Sequence, residues 1–255
     1  SYIDGENGIL EYVGIDIDSL ARNSTFEETT FLLFHRRLPK QDELAAFTAR
    51  IQAEYDLPEH VWKLMEVLPT TATPMHALRT LASALALSDP EADDQTPEAN
   101  ERKAIRLLAK IPALIANFDR HRKGKPVMRP DASQTIAESF LTMLNGEKPT
   151  EAMARAFDIC LILHAEHGFN ASTFASMVTI STLSDMYSAI TTAIGTLKGP
   201  LHGGANEGVM RMLNEIGDIS KVDAWVEQKM AAREKIMGFG HRVYKAVDPR
   251  ATYLK

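Results

Sequence analysis

The chain has 255 residues, 45% hydrophobic and 24% charged, with 28 basic against 34 acidic side chains and a formal net charge of −6. That length allows one large domain, or one domain plus part of a second, with a core that needs no covalent staple, and the acidic balance argues against nucleic acid or an anionic membrane as the main partner. A single cysteine, Cys160, permits no intrachain disulfide and fits a reducing cytosol. No stretch is long enough for a membrane-spanning helix and no signal segment is visible, while the opening SYIDGENG reads as the middle of a longer polypeptide.

Residues 1–13 alternate about a DGENG turn, with Tyr2 and Ile3 before it and Ile9, Leu10, Tyr12 and Val13 after it, and predict a small β-hairpin. Beyond it a 3.6-residue period dominates. Thr25-x-x-Glu28 reads as a capping box for a helix carrying Phe31, Leu32 and Phe34, which ends before Pro39. Helices are expected over 41–54, 58–68 and 74–87, the last starting beside Pro74 and stopping before Asp89-Pro90. Residues 88–100, SDPEADDQTPEAN, read as a solvated acidic loop. A helix over 97–120 should kink at Pro112. The run HRKGKPVMRP, 121–130, reads as an exposed basic loop, with an anion contact as the alternative.

Helices over 133–144 and 150–167 come next. From Ser172 the run STFASMVTISTLSDMYSAITTAIGTLK predicts one helix of about 25 residues. Its many Ala, Ser and Thr residues would let neighbouring helices, or a second subunit, approach closely. The last expected helices are 206–216, closed by Gly217, and 221–237, with Ser220-x-x-Asp223 at its start and Gly238 at its end. The chain thus reads as all-α with a small N-terminal hairpin.

Eight histidines are present. His35, His60, His76 and His121 read as surface or helix-end residues. His164 and His167, as H-A-E-H, could in principle share a metal, but no third ligand follows at a metal-like interval, so no metal is expected. His164 continues the apolar spacing of Met153, Phe157, Cys160 and Leu161 and reads as a core histidine, whereas His167 stands at a helix end before Gly168 and can face a cavity. His202 in GPLHGGAN and His241 in MGFGHRVYK are flanked by glycines on loops next to helix ends. Glycine there permits positive φ and removes bulk where a ligand must approach, although such histidines also occur in plain turns. A loop histidine can hydrogen-bond a substrate oxygen or move a proton near neutral pH. Arg242, Lys245 and Arg250 then gather cations just after His241. That suits a substrate bearing carboxylates or phosphate.

These blocks resemble citrate synthase over nearly the whole chain. SYIDGENGILEYVGIDIDSLA, FEETTFLLFHRRLP, TPMHALRT, HAEHGFNAST, STLSDMYSAI, KGPLHGGANE and GFGHRVYKAVDPRA each look like family segments, in the family's order. The resemblance implies an acyltransferase of the tricarboxylic acid cycle that condenses oxaloacetate with acetyl-coenzyme A to give citrate and free coenzyme A, with no cofactor beyond that co-substrate. By the same resemblance His202 and His241 are catalytic: His202 holds the thioester carbonyl and its enol, and His241 polarises the carbonyl of oxaloacetate. Oxaloacetate is bound by His167, His241 and Arg250, although EHG stands where many relatives have DHE. Lys235, Gly238, Phe239, Gly240, Arg242 and Lys245 fall on the coenzyme A segment.

The resemblance further implies a two-domain helical fold, with a large domain over 1–201 and part of a small one over 202–255, a homodimer, a cytoplasmic location, and closure of the domains on oxaloacetate. The family's base is an aspartate downstream of the second loop histidine. Asp248, the one carboxylate after His241, belongs to the DPR triplet, so the 255 residues alone are expected not to turn over. Two readings compete: 2-methylcitrate synthase, whose corresponding block tends to read GFGHPVYT, and a binding module that keeps the histidines without the base. A structural metal protein is a distant third.

Overall fold

In the computed structural model, which describes residues 1–238 and 243–254, the N-terminal turn closes a sheet of three strands. β1 (Tyr2–Asp4), β2 (Ile9–Tyr12) and β3 (Ile15–Asp16) are antiparallel in that order, with Tyr2 opposite Glu11 and Glu11 opposite Asp16. The Asp4 carboxylate accepts the backbone N–H groups of Glu6 and Asn7 at 3.0 and 3.1 Å, which shapes the DGENG turn. The third strand adds to the expected hairpin, reached through Val13 and Gly14 at φ of 51° and 79°.

The helices are α1 (Ile17–Asn23), α2 (Phe26–His35), α3 (Gln41–Ala53), α4 (Glu59–Val67), α5 (Pro74–Ala84), α6 (Pro97–Arg122), α7 (Ile136–Asn145), α8 (Glu151–His164), α9 (Ala171–Ile180), α10 (Met186–Leu197), α11 (Ala205–Ile216), α12 (Val222–Ala231) and α13 (Ala251–Leu254). The all-α reading stands. Side-chain caps account for most starts: Thr96, Thr135, Thr150, Asn170 and Asp185 each accept a backbone N–H of the first turn. Thr25 caps α2, but Glu28 turns to the Ser24 hydroxyl at 2.7 Å instead of completing a box. α6 runs unbroken as a helix through Pro112.

Three apolar clusters hold these elements. Trp62, Met65, Leu81, Leu114 and Phe118 join α4, α5 and α6, with Tyr187 of α10 packed in. Leu10 and Tyr12 of the sheet pack with Ile17 and Leu20 of α1 and Ile162 and Leu163 of α8. Phe31, Phe47, Ile51, Ile105 and Ile136 join α2, α3, α6 and α7. By contrast α9, α11, α12 and α13 bury no side chain among the described residues. The segment from Val243 returns to the sheet, where Lys245 N–H donates to Gly5 O at 2.8 Å. A Cβ on Gly5 would lie 2.1 Å from Val243 O, so only glycine lets the two strands of chain meet.

Four expectations need correction. The long helix from Ser172 is two helices, α9 and α10, broken at 181–185 where Leu183 takes a φ of 62° and Asp185 recaps the chain. The helix expected over 221–237 ends at Ala231, with Arg233 in the left-handed region at φ 55°; Asp218 caps a short 3-10 turn ahead of it. The acidic loop is not simply solvated: Asp89 and Glu91 pair with Arg106, Glu91 also with Arg102, and the fully buried Lys103 donates to the carbonyl of Ala92 at 3.1 Å. His164 is exposed and not a core residue, because α8 turns Asp158, Ile162 and Leu163 inward instead.

Candidate active site

His167 stands in the turn after α8, half-buried. The Tyr12 hydroxyl of β2 fixes that turn, donating to Ile162 O at 3.0 Å and accepting the Glu166 N–H at 3.3 Å. Burial pushes the Tyr12 phenol up to about 12, so it stays protonated at neutral pH. Glu166 Oε1 accepts the Gly168 N–H at 2.6 Å, and Gly168 takes a φ of 70° that lets the chain double back into α9. The imidazole Nε2 of His167 lies 3.1 Å from the Tyr244 hydroxyl.

Tyr244 brings the C-terminal segment to the same place. It is 5% exposed and close enough to Arg250 to feel its charge. The Arg250 guanidinium forms a fork on Asp248, with Nε to Oδ1 at 3.0 Å and Nη2 to Oδ2 at 2.7 Å. Burial opposes the charge of Arg250, but the carboxylate of Asp248 outweighs it and holds the guanidinium more firmly protonated. Arg250 and Asp248 line a cleft of about 230 Å³ with Ala251, Leu254 and His164. His164 Nδ1 is engaged by its own helix, 2.7 Å from Cys160 O.

His202 lies on the loop between α10 and α11. The loop folds tightly against the end of α10, with His202 N–H and Gly204 N–H both donating to Gly199 O at 2.9 and 3.1 Å. A Cβ on Gly203 would sit 2.5 Å from Leu197 Cδ1 and 2.8 Å from Leu197 O, and one on Gly204 2.9 Å from the carbonyls of Lys198 and Gly199. The paired glycines therefore serve first to close the loop on its own helix; neither takes a positive φ. The ring of His202 is held from α9, where Ser172 Oγ is 2.8 Å from Nε2 and 3.0 Å from Ala193 O. One hydroxyl proton serves both contacts. Directed at Ala193 O it leaves the oxygen to accept from Nε2–H; directed at Nε2 it puts the ring proton on Nδ1.

The structure thus joins His167, Tyr244, Arg250 and Asp248, and ties His202 to the helix that starts just after His167. Among the expected coenzyme A residues, Lys235 is exposed, Gly238 has a φ of 89° and packs on Val209, and Lys245 is drawn into an exposed ion pair with Glu6 of the β1–β2 turn. His241, Phe239, Gly240 and Arg242 lie outside the described residues. Among the described residues no cluster of three or more His, Cys, Asp or Glu could hold a metal, and no helix is long and apolar enough to cross a membrane. Ser172 and Tyr244 are the partners that the reading of histidines alone misses. Their signals were spacing from Asn170, a capping residue, and an aromatic inside a cationic run.

The family model for the citrate synthase C-terminal domain matches residues 1–255. Citrate synthase 2 of Bacillus subtilis is 52% identical over 247 residues, covering 96% of this chain and 66% of the relative. A 2-methylcitrate synthase of Mycobacterium tuberculosis is 46% identical over 246 residues, 96% of this chain and 62% of its own. Among solved structures, the ternary complex of citrate synthase from Thermoplasma acidophilum with carboxymethyl coenzyme A and oxaloacetate aligns with a TM-score of 0.92 at 36% identity, over 98% of this chain and 66% of that one. The chain spans about two thirds of the length of these proteins.

Proposed function

The chain belongs to the citrate synthase family, and from that premise we propose that it is the greater part of an enzyme condensing acetyl-coenzyme A with oxaloacetate to citrate and coenzyme A. The observation that carries the reading is the placement of His202, its Nε2 against Ser172 Oγ at 2.8 Å on a loop closed by glycines. A thioester methyl gives up its proton only when the enolate oxygen meets a preorganised donor. In this structure the Ser172 hydroxyl donates to Ala193 O; turned onto Nε2 it would leave Nδ1–H as that donor. Arg250 supplies the planar fork for a carboxylate of oxaloacetate, and Asp248 now occupies that fork as the substrate carboxylate would. A substrate carboxylate has to share that fork with Asp248 or displace it, and displacement takes the guanidinium from a mostly buried carboxylate. His167 offers a second polar contact, and His241 is assigned the oxaloacetate carbonyl.

Lys235, Gly238, Phe239, Gly240, Arg242 and Lys245 are assigned to coenzyme A. For Lys245 this requires release of Glu6, an exposed pair of the kind worth about 0–1 kcal/mol. We divide the chain into a large domain, 1–201, which holds the three apolar clusters, and part of a small one, 202–255. A cytoplasmic homodimer completes the proposal.

A second reading, 2-methylcitrate synthase, is favoured by the 46% identity to a relative of that name, whereas GFGHRVYK favours citrate. Rates with acetyl- and propionyl-coenzyme A, measured on a polypeptide that extends through the base, separate them. A clear preference for the propionyl thioester would reverse the assignment, and no turnover with either would leave the binding-module reading.

A further inference from the structure

We propose that the turn between β1 and β2 is a positioning element for Arg250: Gly8, together with Gly5, seats the chain ahead of the arginine, and a tie from Tyr253 to Asp18 of α1 holds the chain behind it. The proposal deepens the reading of Arg250 as an oxaloacetate ligand and rests on it.

The pairing of Arg250 with Asp248 cannot by itself aim the arginine. Nε lies 3.0 Å from Oδ1 and Nη2 2.7 Å from Oδ2 of a residue only two positions earlier. Such a bond shapes the side chain but travels with the segment that carries both residues. Where the fork stands relative to His167 therefore depends on what holds that segment to the rest of the protein.

Ahead of Arg250 the hold is the β1–β2 turn. The N–H groups of Lys245 and Ala246 both donate to Gly5 O, at 2.8 and 3.4 Å, and Val243 O reaches to 2.1 Å from where a Cβ on Gly5 would stand. Further along the turn, Val247 O lies 2.8 Å from the corresponding point on Gly8, and the Ala246 methyl 3.4 Å. A backbone carbonyl cannot swing aside as a side chain can, so a methyl at Gly8 has to push the segment off the turn. Gly8 also takes a φ of 68°, in the region that glycine enters freely. Behind Arg250, the Tyr253 hydroxyl donates to Asp18 Oδ1, and its ring packs on the apolar cluster that contains Leu10, Ile17 and Leu20. Arg22 joins that tie, with Nε 2.8 Å from Asp18 Oδ2 and the guanidinium 5.7 Å from the centre of the Tyr253 ring. Between the two holds, Arg250 stands near enough to Tyr12 of β2 for each to feel the charge of the other.

Gly14 supplies the control for the test. It lies in the same sheet at a φ of 79°, yet a Cβ there would meet nothing within 4 Å. Gly8→Ala and Gly14→Ala therefore carry similar backbone strain, and only the first strikes the Arg250 segment. The parent 255-residue chain and the two variants are compared by residue-resolved amide hydrogen exchange and by calorimetry with oxaloacetate. In Gly8→Ala the Lys245 and Ala246 amides should exchange faster, and oxaloacetate affinity should fall about tenfold, the lower end for a hydrogen bond to a charged group. Gly14→Ala should change neither. Equal changes in the two variants, or a Gly8→Ala chain that matches the parent, would overturn the proposal.

Arg250→Ala separates the two levels. If it leaves oxaloacetate affinity intact, or if the parent takes up no oxaloacetate, the functional reading loses Arg250 as a ligand, while the Lys245 and Ala246 amides still decide whether the turn seats the segment. Should Gly8→Ala fail to fold, Gly8→Asn sets the same Cβ against Val247 O with a residue type that tolerates the left-handed region. Gly14→Asn is then the control, and the same outcomes decide.

Discussion

Gly203 shows how a single residue can serve a site without touching a ligand. Its Cβ would meet both the Leu197 side chain and the Leu197 carbonyl, the latter at 2.8 Å, and backbone cannot swing aside as a side chain can. Gly203→Ala should cost roughly 1–3 kcal/mol, the usual range for an added methyl in a filled space, and hydrogen exchange should rise over residues 199–208. If thermal stability and exchange match the parent while only ligand binding falls, the glycine clears room for substrate and not for its own helix. The sequence made His202 and its glycines conspicuous, but not the purpose of the glycines. That depends on where Leu197 and Gly199 turn back, a contact between neighbours in space. Ser172 was hidden for a related reason: it looked like one more small residue of a helix, and only the packing of α9 on α10 brings its hydroxyl to Nε2.

At the scale of elements, buried carboxylates do part of the work of capping. Glu27 of α2 is 3% exposed, and its Oε1 accepts the Ile136 N–H at 2.9 Å at the first turn of α7. Glu27→Ala strands that donor inside the protein and should destabilise by about 1–3 kcal/mol. Glu27→Gln keeps an acceptor. Burial raises the Glu27 carboxyl above the ordinary range, in spite of the bond from Ile136. A raised folded value contributes stability that is full below the unfolded value and lost as pH rises through the folded one. Urea titrations at pH 5 and pH 8 should therefore show Glu27→Gln gaining on the parent at the higher pH; a constant difference would mean that the buried charge is not what sets the shift.

Helix starts were partly legible: Thr25 read as the cap of α2 and caps it, whereas the starts expected at 133 and 150 fall at Ile136 and Glu151, after the caps Thr135 and Thr150. The break inside 172–198 was not. Its residues suit a helix, and what divides it is a left-handed Leu183 followed by a new cap at Asp185, a choice made by tertiary packing.

That same division matters for the whole molecule. Doubled back on α10, α9 bonds to it through small hydroxyls: Ser172 Oγ to Ala193 O at 3.0 Å, Ser176 Oγ to Ala189 O at 3.1 Å and Thr179 Oγ1 to Thr192 Oγ1 at 3.2 Å. The opposite face of α9 then carries Phe174, Met177 and Val178 at helical spacing, exposed by 57%, 52% and 53%. A stripe of this kind beside Phe169 and Leu183 is costly in water, at about 25 cal/mol per Å², and a second copy of the chain is the partner we propose for it. A two-fold axis beside α9 would set the stripe against itself, so that one substitution acts twice. Met177→Lys should shift sedimentation from dimer to monomer while leaving far-UV circular dichroism unchanged, since the side chain supports no contact within the protomer's core. Val127→Lys, an exposed apolar residue on the basic loop and outside α9, should leave the dimer intact. A parent chain that sediments as a monomer at micromolar concentration, or a Met177→Lys chain that stays dimeric, would place the interface elsewhere.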